Sequence, residues 1–179
     1  MAAGATIHTF DVQLADVDRG VYETLVLRVA RHPSETDAFM LTRLLAYCLE
    51  YEEGISFSEG VAATDEPAVL VRDPTGRLTA WIEVGAPDAA RLHTGSLRSP
   101  RVAVYTHRDP EKVTALYAGK KIHRGDAISV FSFDPGFVDA ATAAIARRNS
   151  ATLSVTERHV YLDLNGATLE TDIHERPAV

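Results

Sequence analysis

Cysteine is almost absent from this chain, and the single copy, Cys48, limits the chemistry that the protein can perform. One cysteine cannot form an intrachain disulfide, a cysteine zinc cluster or a thioredoxin-type pair. Long hydrophobic runs are also missing, since no stretch approaches the ~18 apolar residues of a membrane-spanning helix. The start of the chain lacks the basic-then-apolar pattern of a signal peptide. We therefore expect a soluble cytoplasmic protein with no membrane partner.

Positive charge is in short supply as well. The sequence has 18 Lys and Arg against 25 Asp and Glu, a formal net charge of −7. Such a protein has no general attraction for phosphate backbones, so any nucleic-acid binding is expected to be weak and local. Neither internal repeats nor low-complexity linkers interrupt the sequence. With 179 residues and 46% hydrophobic residues, the chain predicts a single domain, 1–179, with one core.

Hydrophobic periodicity predicts an α+β fold, with a central mixed sheet flanked by helices and with accessory hairpins. The first helix is expected to start at Ser34, which can cap it. The last predicted helix is an alanine-rich segment. The predicted strands are 5–14, 21–31, 55–57, 68–72, 78–85, 101–106, 127–133, 152–156, 159–164 and 168–173, and the predicted helices are 34–51, 87–96, 109–118 and 136–148.

An acidic residue, Glu83, lies in the most apolar part of a predicted central strand, on the same face as Trp81 and Gly85. A carboxylate in such a place is costly unless it is paired or bound to a metal ion, and the sequence leaves both alternatives open. Asp65 and Glu66 precede the adjacent strand, so the carboxylate of one or the other is expected within ~5–6 Å of Glu83. Converging oxygens of this kind suit Mg²⁺ or Mn²⁺.

Four segments, in this order and spacing, closely resemble the YaeQ family. They are Ala30-Arg31-His32-Pro33-Ser34-Glu35-Thr36, Asp65-Glu66-Pro67, Trp81-Ile82-Glu83-Val84-Gly85-Ala86-Pro87-Asp88 and Arg91-Leu92-His93, and the resemblance covers essentially the whole chain. It implies a restriction-endonuclease-like fold related to the PD-(D/E)xK nucleases. In that superfamily an acid at a strand start and an acid-x-lysine on the next strand bind Mg²⁺ and activate water, often with a glutamate from the first helix.

The resemblance also implies roles for particular residues. Glu35 resembles the helix glutamate, Asp65 or Glu66 the first strand acid, and Glu83 the acid of the acid-x-lysine. The metal ligands would then be Asp65, Glu66 and Glu83, and no organic cofactor is expected. The lysine position departs from the pattern because it is Gly85, which has no side chain.

Two nearby residues are candidates to replace the missing lysine. Arg91 stays protonated, so it can stabilise phosphate charge but cannot act as a general base. His93 is the candidate base if its ring reaches the cleft, although a histidine hydrogen-bonded to the backbone explains it equally well. Trp81 is expected either to stack on a base or, as a core aromatic, to cover the first helix.

Two functions are compatible with these observations. The first is a Mg²⁺-dependent phosphodiesterase or nuclease with a migrated or degenerate site that uses Glu35, Glu66, Glu83, Arg91 and His93. The second is a catalytically lapsed protein of the same fold that binds nucleic acid or a protein partner. The sequence leaves open the substrate and whether the chain is a monomer or a homodimer.

Overall fold

The structure is a computed structural model that describes residues 4–58 and 65–179. The chain divides into two compact units, one formed by Met1–Leu44 with Phe133–Ile173 and the other by Leu45–Ser132 with His174–Val179. The prediction that residues 1–179 form a single domain stays a prediction. No helix within 4–58 and 65–179 is both long enough and apolar enough to cross a lipid bilayer.

The first unit is built on a sheet with the strand order β2-β1-β8-β9-β10. Its elements are β1 (Thr6–Asp16), β2 (Val21–Arg31), α4 (Phe137–Thr142), β8 (Arg148–Thr156), β9 (His159–Leu164) and β10 (Ala167–Pro177), the last of which continues into the second unit. Neighbouring strands of this sheet are antiparallel except β1 and β8, which are parallel.

One face of this sheet is buried and the other is open to solvent. Along β1, Phe10, Val12 and Leu14 are buried, whereas the alternate residues Asp11 and Gln13 are exposed. The same alternation continues through β2 and β8. A period of two is therefore the sequence signal that separates the core side of the sheet from its open side.

The second unit contains the strands that carry most of the predicted site, in the order β7-β6-β5-β4-β3. Its elements are β3 (Ile55–Phe57), β4 (Val69–Arg72), β5 (Leu78–Val84), α2 (Ala89–Arg98), β6 (Arg101–Tyr105), α3 (Pro110–Ala115) and β7 (Ser129–Phe133). The helix α1 (Asp37–Leu49) begins in the first unit and ends in the second. β3, β4 and β5 are antiparallel, whereas β5, β6 and β7 are parallel. The predicted α+β class with a mixed sheet is confirmed.

The core of the second unit lies between its sheet and α2. Trp81 on β5 and Leu92 on α2 are both buried there, at 1% and 0% exposure. Gly95 brings α2 unusually close to the strand, because a Cβ atom there would lie 2.6 Å from Trp81 Cδ1. The indole of Trp81 thus packs against α2, and the prediction that it covers the first helix is wrong.

The first helix starts later than predicted. α1 begins at Asp37, and the Oγ1 of Thr36 accepts the backbone N–H of Phe39, which is the hydrogen bond of an N-cap. Ser34 is instead bound to the ring of His32, with 2.8 Å between its Oγ and His32 Nδ1. The prediction of a Ser34 cap is wrong because this local contact occupies the serine.

The alanine-rich helix is much shorter than predicted. It ends at Thr142, and Arg148 already begins β8, which pairs with β1. Asn149 fixes this change, since its Nδ2 donates to the carbonyls of Thr9 and Ala146 while its Oδ1 accepts the N–H of Ala146. Pairing with a strand that lies far away in sequence overrides the helix propensity of this segment.

We predict that Gly95→Ala destabilises the fold by about 1–3 kcal/mol, as overpacking of a core does. In a helix free of this contact the same change would stabilise by ~1 kcal/mol. Thr94→Ala, one residue earlier and exposed, is the control and should change stability by less than about 0.5 kcal/mol. Urea unfolding measures both variants, and a Gly95→Ala protein as stable as the native one would contradict the close packing on Trp81.

Candidate functional site

Glu83 is a buried carboxylate near the end of β5, with only 4% of the residue exposed. Alternation along the strand places it on the same face as Trp81, as predicted. The indole Nε1–H of Trp81 donates to Glu83 Oε1 over 2.8 Å. The neighbouring aromatic side chain therefore supplies one of the hydrogen bonds that a buried carboxylate requires.

Arg91 supplies the opposite charge. It lies in the first turn of α2, whose N-cap Asp88 accepts the backbone N–H of Arg91 over 2.9 Å. Its guanidinium approaches Glu83 Oε1 through Nε at 3.1 Å and Nη2 at 2.9 Å. Nη2 also donates to the backbone carbonyl of Glu66 over 2.7 Å. One arginine thus connects β5, α2 and the segment that leads into β4.

The electrostatics of this cluster are set by burial. Removal of the carboxylate from water raises the pKa of Glu83, and the hydrogen bonds and charge of Arg91, followed by the indole of Trp81, offset only part of that increase. Tyr117 lies close enough to be affected: burial first, and then the negative charges of Glu83 and Asp88, raise the pKa of its phenol. Its hydroxyl donates to the carbonyl of Pro87 over 2.8 Å.

Asp65 and Glu66 take part in this site through their backbone atoms. The carbonyl of Asp65 accepts from Arg98 Nη1 over 2.7 Å, as the carbonyl of Glu66 does from Arg91. The carboxylate of Glu66 lies 3.7 Å from Arg72, with about a third of its side chain exposed (34%). Glu66 is therefore connected to Glu83 indirectly, because Arg91 donates both to the backbone carbonyl of Glu66 and to the carboxylate of Glu83.

The three predicted metal ligands, Asp65, Glu66 and Glu83, do not come together as a metal-binding group among the described residues. Within residues 4–58 and 65–179, no group of three or more Asp, Glu, His or Cys side chains is placed so that it could hold a metal ion. Glu83 Oε1 is already occupied by the donors of Trp81 and Arg91. A magnesium site requires carboxylate oxygens that are free to bind the ion directly or through water.

Gly85, at the position where the resemblance to the nuclease pattern would place a lysine, has a backbone conformation that disfavours a side chain. Gly85 has a φ of +86°, in the left-handed region that glycine adopts without strain. Its N–H donates to the carbonyl of Tyr105 over 2.9 Å, which fixes this conformation at the end of β5. A lysine at this position would be strained, so the departure at Gly85 is part of the local fold.

His93 lies on a different side of α2 from Arg91, as predicted from their spacing. Its Nδ1 accepts the backbone N–H of His123 over 3.0 Å. The proton of the neutral ring is therefore on Nε2. The sequence left open whether His93 is a base or a histidine bound to the backbone, and the structure contains the hydrogen bond to the backbone.

Glu35, the predicted helix glutamate, precedes α1 in the first unit and is almost fully buried. Its Oε2 lies 3.2 Å from Arg43 Nη2, and neither side chain is more than 3% exposed. Burial raises the pKa of the Glu35 carboxyl, and the charge of Arg43 opposes that increase. Arg43 Nη2 also donates to the carbonyl of Ala30, over 2.7 Å, so the pair joins the end of β2 to α1.

Comparison with known proteins assigns the family. The family model described as "YaeQ protein" matches residues 1–173. This chain belongs to the YaeQ family. The "Uncharacterized protein YaeQ" of Escherichia coli (strain K12) is 38% identical over 107 residues, and the match spans 60% of this chain and 59% of that protein. The protein of the same description from Salmonella typhi is 37% identical over a match of the same extent.

Solved structures of YaeQ proteins are similar over nearly the whole chain. The crystal structure of the YaeQ protein from Xanthomonas axonopodis pv. citri is 29% identical, with a TM-score of 0.87, and the match covers 98% of this chain and 99% of that one. The YaeQ protein from Pseudomonas syringae is 30% identical, with a TM-score of 0.85 and 97% coverage of both chains. The resemblance read from the sequence segments is confirmed at the level of the family.

Two further arginines of this YaeQ chain hold parts of the predicted site in place, one beside Glu35 and one at the end of α2. Arg43, the partner of Glu35, is the one charged residue inside the apolar run of α1, a signal that should have marked a buried pair. Arg124 donates to the carbonyls of Ser96 and Ser99 at the end of α2. Its only sequence signal is a basic residue before a glycine, which does not identify a helix cap.

We predict that Arg91→Ala lowers the stability of the protein by about 2–4 kcal/mol, because it leaves the buried Glu83 carboxylate without its charge partner. The value lies below that of a fully buried pair since 32% of the Arg91 side chain is exposed. Arg98→Ala is the matched control: Arg98 is on the same helix and also donates to a carbonyl before β4, but no carboxylate partner is seen for it among the described residues. Its loss removes this hydrogen bond and the contact of its guanidinium with the Trp81 ring, 5.6 Å from the ring centroid, and should cost about 1–2 kcal/mol.

The cost of Arg91→Ala should also increase with pH. The folded-state pKa of Glu83 lies above its unfolded value near 4.5, so its ionisation lowers stability as the pH rises past that value. Without Arg91 the pKa rises further, and the loss is therefore larger at pH 8 than at pH 5. Chemical unfolding at both pH values measures this difference, and equal losses for Arg91→Ala and Arg98→Ala would show that the ion pair contributes nothing specific.

Proposed function

We propose that this YaeQ protein is a non-catalytic relative of the PD-(D/E)xK nuclease fold that acts as a binding module for a protein partner. The observation that carries the proposal is the state of Glu83, the acid on which catalysis would depend. Its Oε1 is bound by Trp81 and Arg91. The position that would carry the lysine is a glycine with a positive φ.

The strand arrangement supports the relation to the nuclease fold. Four strands in the order β3-β4-β5-β6 form a mixed sheet, with the first three antiparallel and the fourth parallel to β5. Along the chain, α1 precedes these strands and α2 lies between β5 and β6. This is the arrangement of a central mixed sheet with flanking helices that the superfamily implies.

The chemistry of the site supports a structural role for the acid. Cleavage of a phosphodiester requires a water held by a metal ion or activated by a base. Arg91 remains protonated and neutralises Glu83, while His93 uses Nδ1 to accept a backbone N–H. In the cluster formed by Trp81, Glu83 and Arg91, the Oε1 of the one carboxylate is held by the indole and the guanidinium.

The charge of the molecule favours a protein partner over nucleic acid. A net charge of −7 opposes approach to a phosphate backbone. The open face of the first unit's sheet carries exposed apolar residues instead, with Val26 73% exposed and Tyr22 63% exposed. Exposed apolar groups on a folded surface are typical of protein contacts.

A second candidate function, Mg²⁺-dependent cleavage of phosphodiesters, is favoured by one observation. The raised pKa of a buried carboxyl group near the end of a strand is a frequent property of catalytic acids. For this function, Glu83 would have to bind an ion either beside Arg91, which holds its Oε1, or after Arg91 has moved away. In the first function the ion pair of Glu83 and Arg91 is a permanent part of the fold, whereas in the second its carboxylate binds a metal ion.

We predict that the native protein does not cleave single- or double-stranded DNA or RNA in the presence of Mg²⁺ or Mn²⁺. The measurement compares the native protein with Glu83→Gln, purified in the same way, on end-labelled substrates, with an active metal-dependent nuclease as the positive control. Fluorescence anisotropy at low salt tests binding of the same nucleic acids, and no salt-sensitive binding is expected. Cleavage by the native protein that disappears in Glu83→Gln would overturn the proposal in favour of the second candidate.

Introducing the lysine of the nuclease pattern should not produce activity. We expect Gly85→Lys to be inactive and destabilised by about 1–2 kcal/mol, the cost of a left-handed conformation for a residue with a side chain. Gly85→Ala is the matched control, because it introduces the same backbone strain without the amine. A Gly85→Lys protein that cleaves nucleic acid, or that is as stable as the native one, would show that the lysine position is still usable.

A further inference from the structure

The strand β2 ends the sheet of the first unit, and its outer edge has no strand partner among the described residues. It is a long edge, from Val21 to Arg31, and every residue pairs with β1 without a bulge. The edge strand of a sheet presents a row of N–H and C=O groups that can pair with another strand.

Most of the features that protect edge strands are missing from β2. Its sequence, VYETLVLRVAR, contains no proline, lysine or glycine. On the open face, Tyr22 and Val26 are 63% and 73% exposed, and on the buried face, Leu25 and Leu27 remain at 7% exposure. A long, regular and apolar edge of this kind favours the addition of a further strand.

The C-terminal end of β2 is already covered by the segment that leads into α1. Arg43 donates to the carbonyl of Ala30, and Arg31 Nη1 donates to the carbonyl of Glu35 over 2.9 Å. Arg31 Nε also lies 3.4 Å from Asp37. The part of the edge that can accept a partner is therefore residues 21–29, whose central residue is Leu25.

We propose that residues 21–29 pair with the same residues of a second copy of this chain, antiparallel and about a two-fold axis at Leu25. In this two-fold pairing the residue numbers of two opposite residues add to 50, so that residue 24 of one copy lies opposite residue 26 of the other. The two five-stranded sheets then become one continuous sheet across the axis. This pairing is independent of the catalytic state of Glu83.

The open faces of the two strands complement each other in this register. Tyr22 lies opposite Arg28 of the other copy, twice in the dimer, and an arginine against a tyrosine ring is a favourable cation–π pair. Thr24 lies opposite Val26, which is a β-branched pair typical of strands. The two most exposed side chains of the edge, Tyr22 and Val26, thus gain neighbours.

The buried faces also match. Leu25 meets Leu25 at the axis, and Val21 lies opposite Val29, so the apolar side of the sheet continues from one copy to the other. Glu23 lies opposite Leu27, and its side chain, already exposed in the single chain, remains at the surface. A second copy therefore continues the apolar face at Val21, Leu25 and Val29, and Glu23 is the one charged side chain that the pairing places beside an apolar residue.

The proposed interface is small. Stable interfaces bury about 1,200–2,000 Å², and one strand pair lies at or below the lower limit. We therefore expect a dissociation constant of about 1–100 μM, so that the dimer forms and separates with concentration.

Sedimentation velocity over about 1–200 μM protein tests the pairing. We expect the mass to rise from 19.5 kDa towards twice that value. Val26→Lys should raise the dissociation constant at least about tenfold, because it places like charges near the axis. Thr152→Lys adds the same positive charge on the open face of the interior strand β8 and should leave the dissociation constant unchanged. Circular dichroism then confirms that both variants are folded.

A cysteine pair tests the register. Thr24→Cys and Val26→Cys mixed together should form an oxidised cross-linked dimer, whereas neither variant alone should, since each position lies opposite the other. The native Cys48 is 1% exposed and does not interfere. A mass of 19.5 kDa at every concentration, a dimer unaffected by Val26→Lys, or cross-linking of Val26→Cys alone would each overturn the proposal.

Discussion

The burial of one carboxylate, that of Glu83, determines how the second unit is assembled around its candidate site. A buried charge is tolerated only when its partner and its hydrogen bonds are in place. Arg91 and Trp81 meet that requirement. To do so, α2 must present its first turn to the end of β5 and lie close enough for Gly95 to pass over the indole. The position of α2 therefore follows from the charge partner that the Glu83 carboxylate requires and from the close packing of Gly95 on the Trp81 ring.

Glu35 and Arg43 solve the same physical problem in the first unit. In both places an acid that the nuclease pattern would assign to catalysis is buried beside an arginine, and in both the arginine also donates to a backbone carbonyl. Such pairs contribute less to stability than their burial suggests, because desolvation offsets the attraction between the charges. Their main effect is to fix which segments meet, since a shifted segment would leave a charge without its partner.

Part of the candidate site could be predicted from the periodicity of its strand and helix. Alternation along β5 was sufficient to place Glu83 and Trp81 on one face, and helical spacing was sufficient to separate Arg91 from His93. The roles of Asp65 and Glu66 were out of reach, because they act through carbonyl groups, which every residue has. The positive φ of Gly85 was equally hidden, since glycine adopts either sign of φ.

The sequence by itself determined the α+β class, the family, the hairpins and most strand bounds, because alternation and turn residues are local properties. The gaps between the last predicted strands mark two turns, and there the structure has a positive φ at Glu157, Arg158, Asn165 and Gly166. Only the tertiary structure decided that residue 148 begins a strand, since its partner β1 lies more than 100 residues away. It alone decided which arginine neutralises Glu83, because the choice among several nearby cations depends on distances that only the packed helix and sheet define.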